Sequence, residues 1–307
     1  MVRKRIKEVL NKKLNDWLKS IDDGVLVDKI RKSVIVTGGA IVNMLLDEKV
    51  NDFDVYFKDG YVLLDVVKHY VDKFNKGNDT SCARIKISNE KESIFFIDGC
   101  SVAEANSLLF NGAHVSVYVK SSGVAGNMYG ALEDADEISE DDLEKDGEKY
   151  QPVYLSSNAI TLSNKIQLVL RFFGEPEEIH KNFDFVHCTC YWTSWDNQLV
   201  LPAEALEAII NKQLVFCGSK YPICSILRMR KFIKRGFNIN AGQVLKICMA
   251  MSKLDLCSIS VLNDQLTGVD SSYFSMLIDA LQKKKEEDSS FNFGAEYVTT
   301  IVDRIFG

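Results

Sequence analysis

Near the start of the chain the apolar residues Ile6, Val9, Leu10, Leu14, Trp17, Leu18 and Ile21 recur at steps of three and four, which predicts an amphipathic helix over residues 3–22. The period then shortens. Residues 33–37 (SVIVT) are a β-branched run that reads as a strand and ends on Gly38-Gly39; AIVNMLLDE reads as a helix and DFDVYF as an alternating strand. A helical stretch follows over 61–75, then strands over 83–88, 93–98 and 113–119. Further strands are expected over 153–161 and 164–172, with a short helix started by Glu175-Pro176, since proline suits a first helical turn, and a strand over 184–192. From Pro202 the spacing predicts helices over 202–212, 222–235, 240–254, 270–285 and 294–305. No internal repeat is visible. The pattern predicts an α/β (α+β) protein: a mixed sheet flanked by helices over residues 1–200, followed by an α-helical lobe over 201–307.

Composition narrows the class. The 307 residues are 46% hydrophobic and 26% charged with four prolines, near the globular average and far from disordered or low-complexity chains. No apolar run approaches the roughly 18 residues of a membrane span, and the N-terminus, MVRKRIKEVLNKKLNDWLK, has no uncharged core of a signal peptide. The expected address is the cytoplasm, with no membrane partner. The eight cysteines form no C-x-x-C pair and read as reduced, buried thiols. Residues 131–149 hold ten acidic and two basic side chains, a local −8, so the net −6 of the whole chain leaves +2 elsewhere. Such a block reads as a solvated loop.

The candidate chemistry lies in residues 37–57, TGGAIVNMLLDEKVNDFDVYF. Asp52 and Asp54 are one residue apart on an expected strand, so both carboxylates project from one face, where their repulsion is relieved by a hard cation such as Mg²⁺. Gly38-Gly39 enters a helix N-terminus, where bare backbone amides and the helix dipole suit phosphate. Farther on, Lys220, Arg228, Arg230, Lys231, Lys234 and Arg235 place six cations in sixteen residues without an acid, and Arg228, Lys231 and Arg235 share one side of the expected helix, away from an apolar stripe of Ile226, Met229, Phe232 and Ile233. His180, His187, Trp192, Trp195, Lys165 and Arg171 have weaker claims, the tryptophans as base-stacking residues or as hydrophobic anchors.

The double glycine, helix and Asp-x-Asp together resemble the DNA polymerase beta-like nucleotidyltransferase superfamily, most closely its class II poly(A) polymerase and CCA-adding branch. YPICSILRMRKFIKRGFNIN is similar to the helix that follows the catalytic domain there, although HKNFDFVHC lacks the branch's arginine pair. The stretch from 155 to about 270 also resembles uncharacterised nucleotidyltransferase-like proteins of tailed bacteriophages. The resemblance implies a metal-dependent enzyme, with Mg²⁺ or Mn²⁺ as cofactor, that transfers a nucleotide from an NTP to a hydroxyl acceptor and releases pyrophosphate. Asp52, Asp54 and a third carboxylate, Asp184 or Asp98, would hold metal; Thr37, Gly38 and Gly39 would hold triphosphate; Arg228, Lys231 and Arg235 would hold phosphates of NTP or of an RNA acceptor such as a tRNA 3′ end. Two alternatives stay open: an enzyme modifying a protein or small molecule, and a catalytically silent phage binding or structural protein of the same fold.

Overall fold

The computed structural model describes residues 2–77, 83–88, 93–96, 102–110, 112–119, 150–256, 258–266, 283, 299 and 300. The acidic block, Asp98 and the helices expected over 270–285 and 294–305 lie outside the described residues, single positions apart. Two compact units divide the chain: the described residues up to Lys181 and from His187 to Asn211 belong to the first, and residues 182–186 and those from Lys212 onward to the second.

Helix α1 (Val2–Leu18) buries Ile6, Leu10, Leu14, Trp17 and Leu18, as its spacing predicts, but Val9 is exposed. It stops earlier than expected because Asp23 starts a second helix, α2 (Gly24–Arg31). The Asp23 carboxylate accepts the amides of Val25 and Leu26 at 2.9 and 3.1 Å, a cap that a continuous helix would forfeit. The expected strand–glycine–helix–strand order follows as β1 (Val34–Thr37), α3 (Gly39–Leu46) and β2 (Phe53–Phe57). Helix α4 (Gly60–Gly77) is tied to α1 inside the core, where the Trp17 indole N–H donates to the Tyr70 hydroxyl at 2.6 Å.

A small antiparallel sheet in the order β4-β3-β5 is built from β3 (Ala83–Ser88), β4 (Ser93–Phe96) and β5 (His114–Val119), with helix α5 (Val102–Phe110), which the sequence pattern misses, between the last two. The strand expected over 153–161 is two strands, β6 (Pro152–Leu155) and β7 (Ala159–Leu162). The chain turns between them where Ser156 Oγ accepts the amides of Asn158 and Ala159. Then come β8 (Ile166–Phe173), α6 (Pro176–His180), β9 (Tyr191–Thr193), β10 (Gln198–Val200) and α7 (Ala203–Ile210). The strand expected over 184–192 is corrected: residues 186–188 form a 3₁₀ turn and pairing begins only at Tyr191. The apolar run serves two cores, Phe185 stacking on Phe216 and Phe232 in the second unit and Trp192 lying in the sheet of the first, and one continuous strand does not do both.

The larger sheet runs β10-β9-β1-β2-β8-β7-β6, antiparallel except for the parallel β2–β8 pair. This is the mixed sheet flanked by helices that the pattern predicts. Its register sorts the side chains. Val34, Val36, Phe53, Val55, Phe57, Ile166, Leu168 and Leu170 fall on one face and are buried. Thr37, Asp54, Gln167, Arg171, Tyr191 and Thr193 fall on the other, together with the buried Ile35 and Tyr56. Burying each large apolar side chain of the first face contributes about 1.5–3 kcal/mol.

In the second unit, α8 (Pro222–Lys234), α9 (Ala241–Met251) and α10 (Ile259–Leu266) are the described helices. Helix α8 buries Ile223, Cys224, Ser225 and Phe232, whereas Ile233, expected in its apolar stripe, is exposed.

Candidate functional site

The polar face of the large sheet is the candidate site, and its glycine turn is built by the strand that precedes it. β1 ends at Thr37, whose hydroxyl is buried and donates to the carbonyls of Cys190 at 2.9 Å and Cys188 at 3.3 Å. Carbonyls only accept, so His180 Nε2, 2.9 Å from the same oxygen, is the donor and the ring carries its proton on Nε2. Burial pulls the His180 pKa down to about 4, partly offset by Glu177, and the imidazole is neutral at neutral pH. Thr37 is therefore a structural tie between β1 and the segment before β9; its hydroxyl is engaged with protein groups.

Gly38 then turns the chain at φ +87° and ψ −145°, a conformation for which only glycine is suited. Its amide donates to the Cys188 carbonyl at 3.1 Å. A Cβ built on Gly38 would lie 3.4 Å from Asp54 Oδ2, so the turn and the Asp-x-Asp strand meet, and no side chain caps the N-terminus of α3 that opens at Gly39. Asp54 is half-buried and Asp52, just before β2, is exposed. Of the two carboxylates, Asp54 is thus brought beside the glycine turn, and Asp52 lies just outside β2.

Among the described residues no third carboxylate joins them. Across the parallel ladder Asp54 faces Gln167, an amide, and among the described residues no group of three or more His, Cys, Asp or Glu is placed to hold a metal ion. Asp184 belongs to the second unit, where its oxygens accept from Ser225 Oγ at 3.0 Å and from the guanidinium of Arg228. Its side chain is 2% exposed, which makes it half of an interior ion pair. That pair also occupies Arg228, a residue read from the sequence as a phosphate contact, while Arg235 lies over the Phe232 ring at 5.9 Å and Lys231 is an exposed side chain of α8. Asp184 therefore does not supply the third carboxylate of the implied metal centre, and Asp98, the other candidate, lies outside the described residues.

The remaining candidates fall on either side of the sheet. Trp192 is fully buried and donates to Asn197 Oδ1 at 2.9 Å, an anchor rather than a stacking platform; Lys58 lies over Trp195 at 5.1 Å. Lys165 sits in the β7–β8 turn at φ +61°, not on a strand, and its carbonyl accepts the Phe53 amide. Lys13, unremarked in the sequence, reaches that turn: its ammonium donates to the Asn164 carbonyl at 2.6 Å and lies 5.0 Å from the Phe53 ring. Burial and the neighbouring Lys165 lower its pKa to about 8. Only the i, i+3, i+4 spacing around Leu10 and Leu14 hinted that Lys13 flanks the core. The described cysteines are thiols, of which Cys190 and Cys224 are buried and Cys188 half-buried, whereas Cys217 and Cys248, expected to be buried, are exposed.

Comparison with known proteins bears on the resemblance. The model of the Gabija anti-defense 2 family protein matches residues 8–212, two thirds of the chain. A curated relative, "Gabija anti-defense 2" of Bacillus phage SPbetaL7, is 21% identical over 277 residues, which is 90% of this chain. The chain spans about half the length of that relative. Both findings replace the nucleotidyltransferase resemblance, that to nucleotidyltransferase-like phage proteins included, and with it the NTP, RNA-binding and polymerase beta-like expectations; the similarity is to a phage protein of another family. The physical reason is that a double glycine and Asp-x-Asp at this spacing are few residues, which a strand–turn–helix–strand unit can carry for its own folding, and the residue opposite Asp54 is an amide, Gln167. Among the described residues no helix is long and apolar enough to cross a membrane.

Proposed function

This chain belongs to the Gabija anti-defense 2 family, and from that premise we propose that it counteracts a bacterial antiphage defence inside the infected cell by binding a component of it, without turnover. The observation that carries the reading is the extent of the family match. Residues 8–212 take in the whole seven-stranded sheet and most of the first compact unit, ending within a residue of it. The chemistry of its polar face supports binding: a half-buried Asp54 faces an amide rather than a third acid, and the Thr37 and His180 side chains are engaged with each other.

Phage plating on a Bacillus host carrying the Gabija defence tests the proposal. Co-expression of the protein is expected to restore plaques, and the doubly substituted Asp52→Asn, Asp54→Asn chain is expected to restore them equally. No restoration by the natural chain overturns the anti-defense reading. Restoration lost in the Asn variant, with its unfolding curve unchanged, transfers the reading to a catalytic one centred on the two carboxylates.

A further inference from the structure

Away from the polar face, the first half of α1 and the last strand of the large sheet enclose a cleft of about 610 Å³, lined by Arg3, Lys4, Lys7 and Glu8 on one side and by Asn197 and Leu199 on the other. An Asn11–Asn197 side-chain bond of 2.8 Å closes one part of it. The single acid, Glu8, has Lys4 3.9 Å away in the next turn of the helix, which leaves the cleft cationic. Arg5 is drawn elsewhere, to Asp47 at 3.3 Å.

The other wall is a sheet edge. β10 ends the described sheet, pairing with β9 alone. The Ser194 amide donates to the Val34 carbonyl, so at Ser194 the chain faces β1. Because backbone groups alternate sides in an antiparallel strand, those of Thr193 and Tyr191 face β10, where their partners are Gln198 and Val200. Leu199, between those two, therefore directs its N–H and C=O to the outer side, beside the cleft it lines.

We propose that this cleft receives an extended, acidic segment of a partner protein, which adds a strand to β10 while its carboxylates meet Arg3 and Lys7. The occupant is a peptide because the Leu199 carbonyl needs a donor as well as its amide an acceptor; a peptide backbone supplies both, whereas a nucleic-acid phosphate only accepts. Charge complementarity makes the segment acidic. The proposal rests on the reading of the chain as a binding protein and names the chemistry of what it binds.

Fluorescence anisotropy of the full chain with a fluorescein-labelled octapeptide of alternating Glu and Val is the test. Saturable binding is expected, weakened by roughly tenfold or more in the Arg3→Glu, Lys7→Glu variant, as when attractive interface charges become repulsive. Both positions are on the helix surface, so the unfolding curve should not move. The same peptide N-methylated at alternate residues keeps its charge and should lose binding to a similar degree. Absence of peptide binding, or binding indifferent to N-methylation and displaced by a DNA duplex, overturns the proposal in favour of no site or a general polyanion surface. The plating assay separates the two readings: plaques restored without peptide binding sink this inference alone, and peptide binding without restored plaques sinks the anti-defense reading alone.

Discussion

Asp54 in the first unit and Asp184 in the second stand in similar local sequence, each beside a phenylalanine in an apolar run, yet their surroundings differ. Asp54 is half-buried beside a glycine turn and faces an amide; Asp184 is 4% exposed, with Ser225 and Arg228 on its two oxygens. A carboxylate withdrawn from water is tolerated only when paired and hydrogen-bonded, so Asp184 is committed to the fold. Asp54 keeps more of its surface in water. Residue type does not separate a structural acid from a candidate functional one; desolvation and the neighbour do.

The contrast breaks most visibly at Asp184. Asp184→Ala leaves Arg228 without its counter-charge, and removing one partner of a buried pair costs about 3–5 kcal/mol. The Arg228 side chain is 37% exposed and recovers some hydration, so a loss near the low end, about 3 kcal/mol, is expected in urea unfolding. An unchanged midpoint would mean that the pair contributes nothing.

On the Asp54 side the comparison is sharpened by pH. His180 is held near pKa 4 in the fold against 6.5 when unfolded, so the unfolded chain binds the extra proton between those values. Its neutral-state stabilisation is complete above pH 6.5 and is lost as pH falls toward about 4, by up to roughly 3 kcal/mol. His180→Gln, which still offers an N–H to Thr37, should flatten that part of the stability–pH curve; an unaltered slope would place the titration elsewhere.

Gly38→Ala comes next. The positive φ costs about 1–3 kcal/mol for any side chain, and the added methyl presses on Asp54 Oδ2, so thermal unfolding should shift down. The smallest effect belongs to Asp52→Asn: an exposed side chain on which little packing depends is expected to change stability by less than about 0.5 kcal/mol. A loss as large as that of Asp184 would make Asp52 structural too.

Much of the first unit was legible because its signals are local. The step of three and four in α1 states which face is buried, the β-branched run of β1 and the apolar positions of β2 mark strands buried almost throughout, and Glu175-Pro176 marks α6. Helix α2 was hidden by a cap, Asp23, that interrupts an otherwise continuous periodicity. β10 was missed because a three-residue edge strand carries too little pattern to stand out. The site was half legible: the order of glycine turn, helix and Asp-x-Asp strand was readable, while the meeting of Gly38 with Asp54 and the pairing of Asp184 with Arg228, 44 residues apart, left no trace in spacing.

The alternation of strands and helices and the burial of α1 were readable along the chain, because they depend on residues a few positions apart whose side-chain period is set by the backbone. The fold in three dimensions set what the chain could not: that Gly38 meets Asp54, that Gln167 faces Asp54, that Asp184 spends its charge on Arg228, and that the edge strand β10 and the start of α1 line one cationic cleft. Those outcomes depend on ladder register and burial, which bring together residues far apart in the chain, and desolvation then sets what each polar group can do.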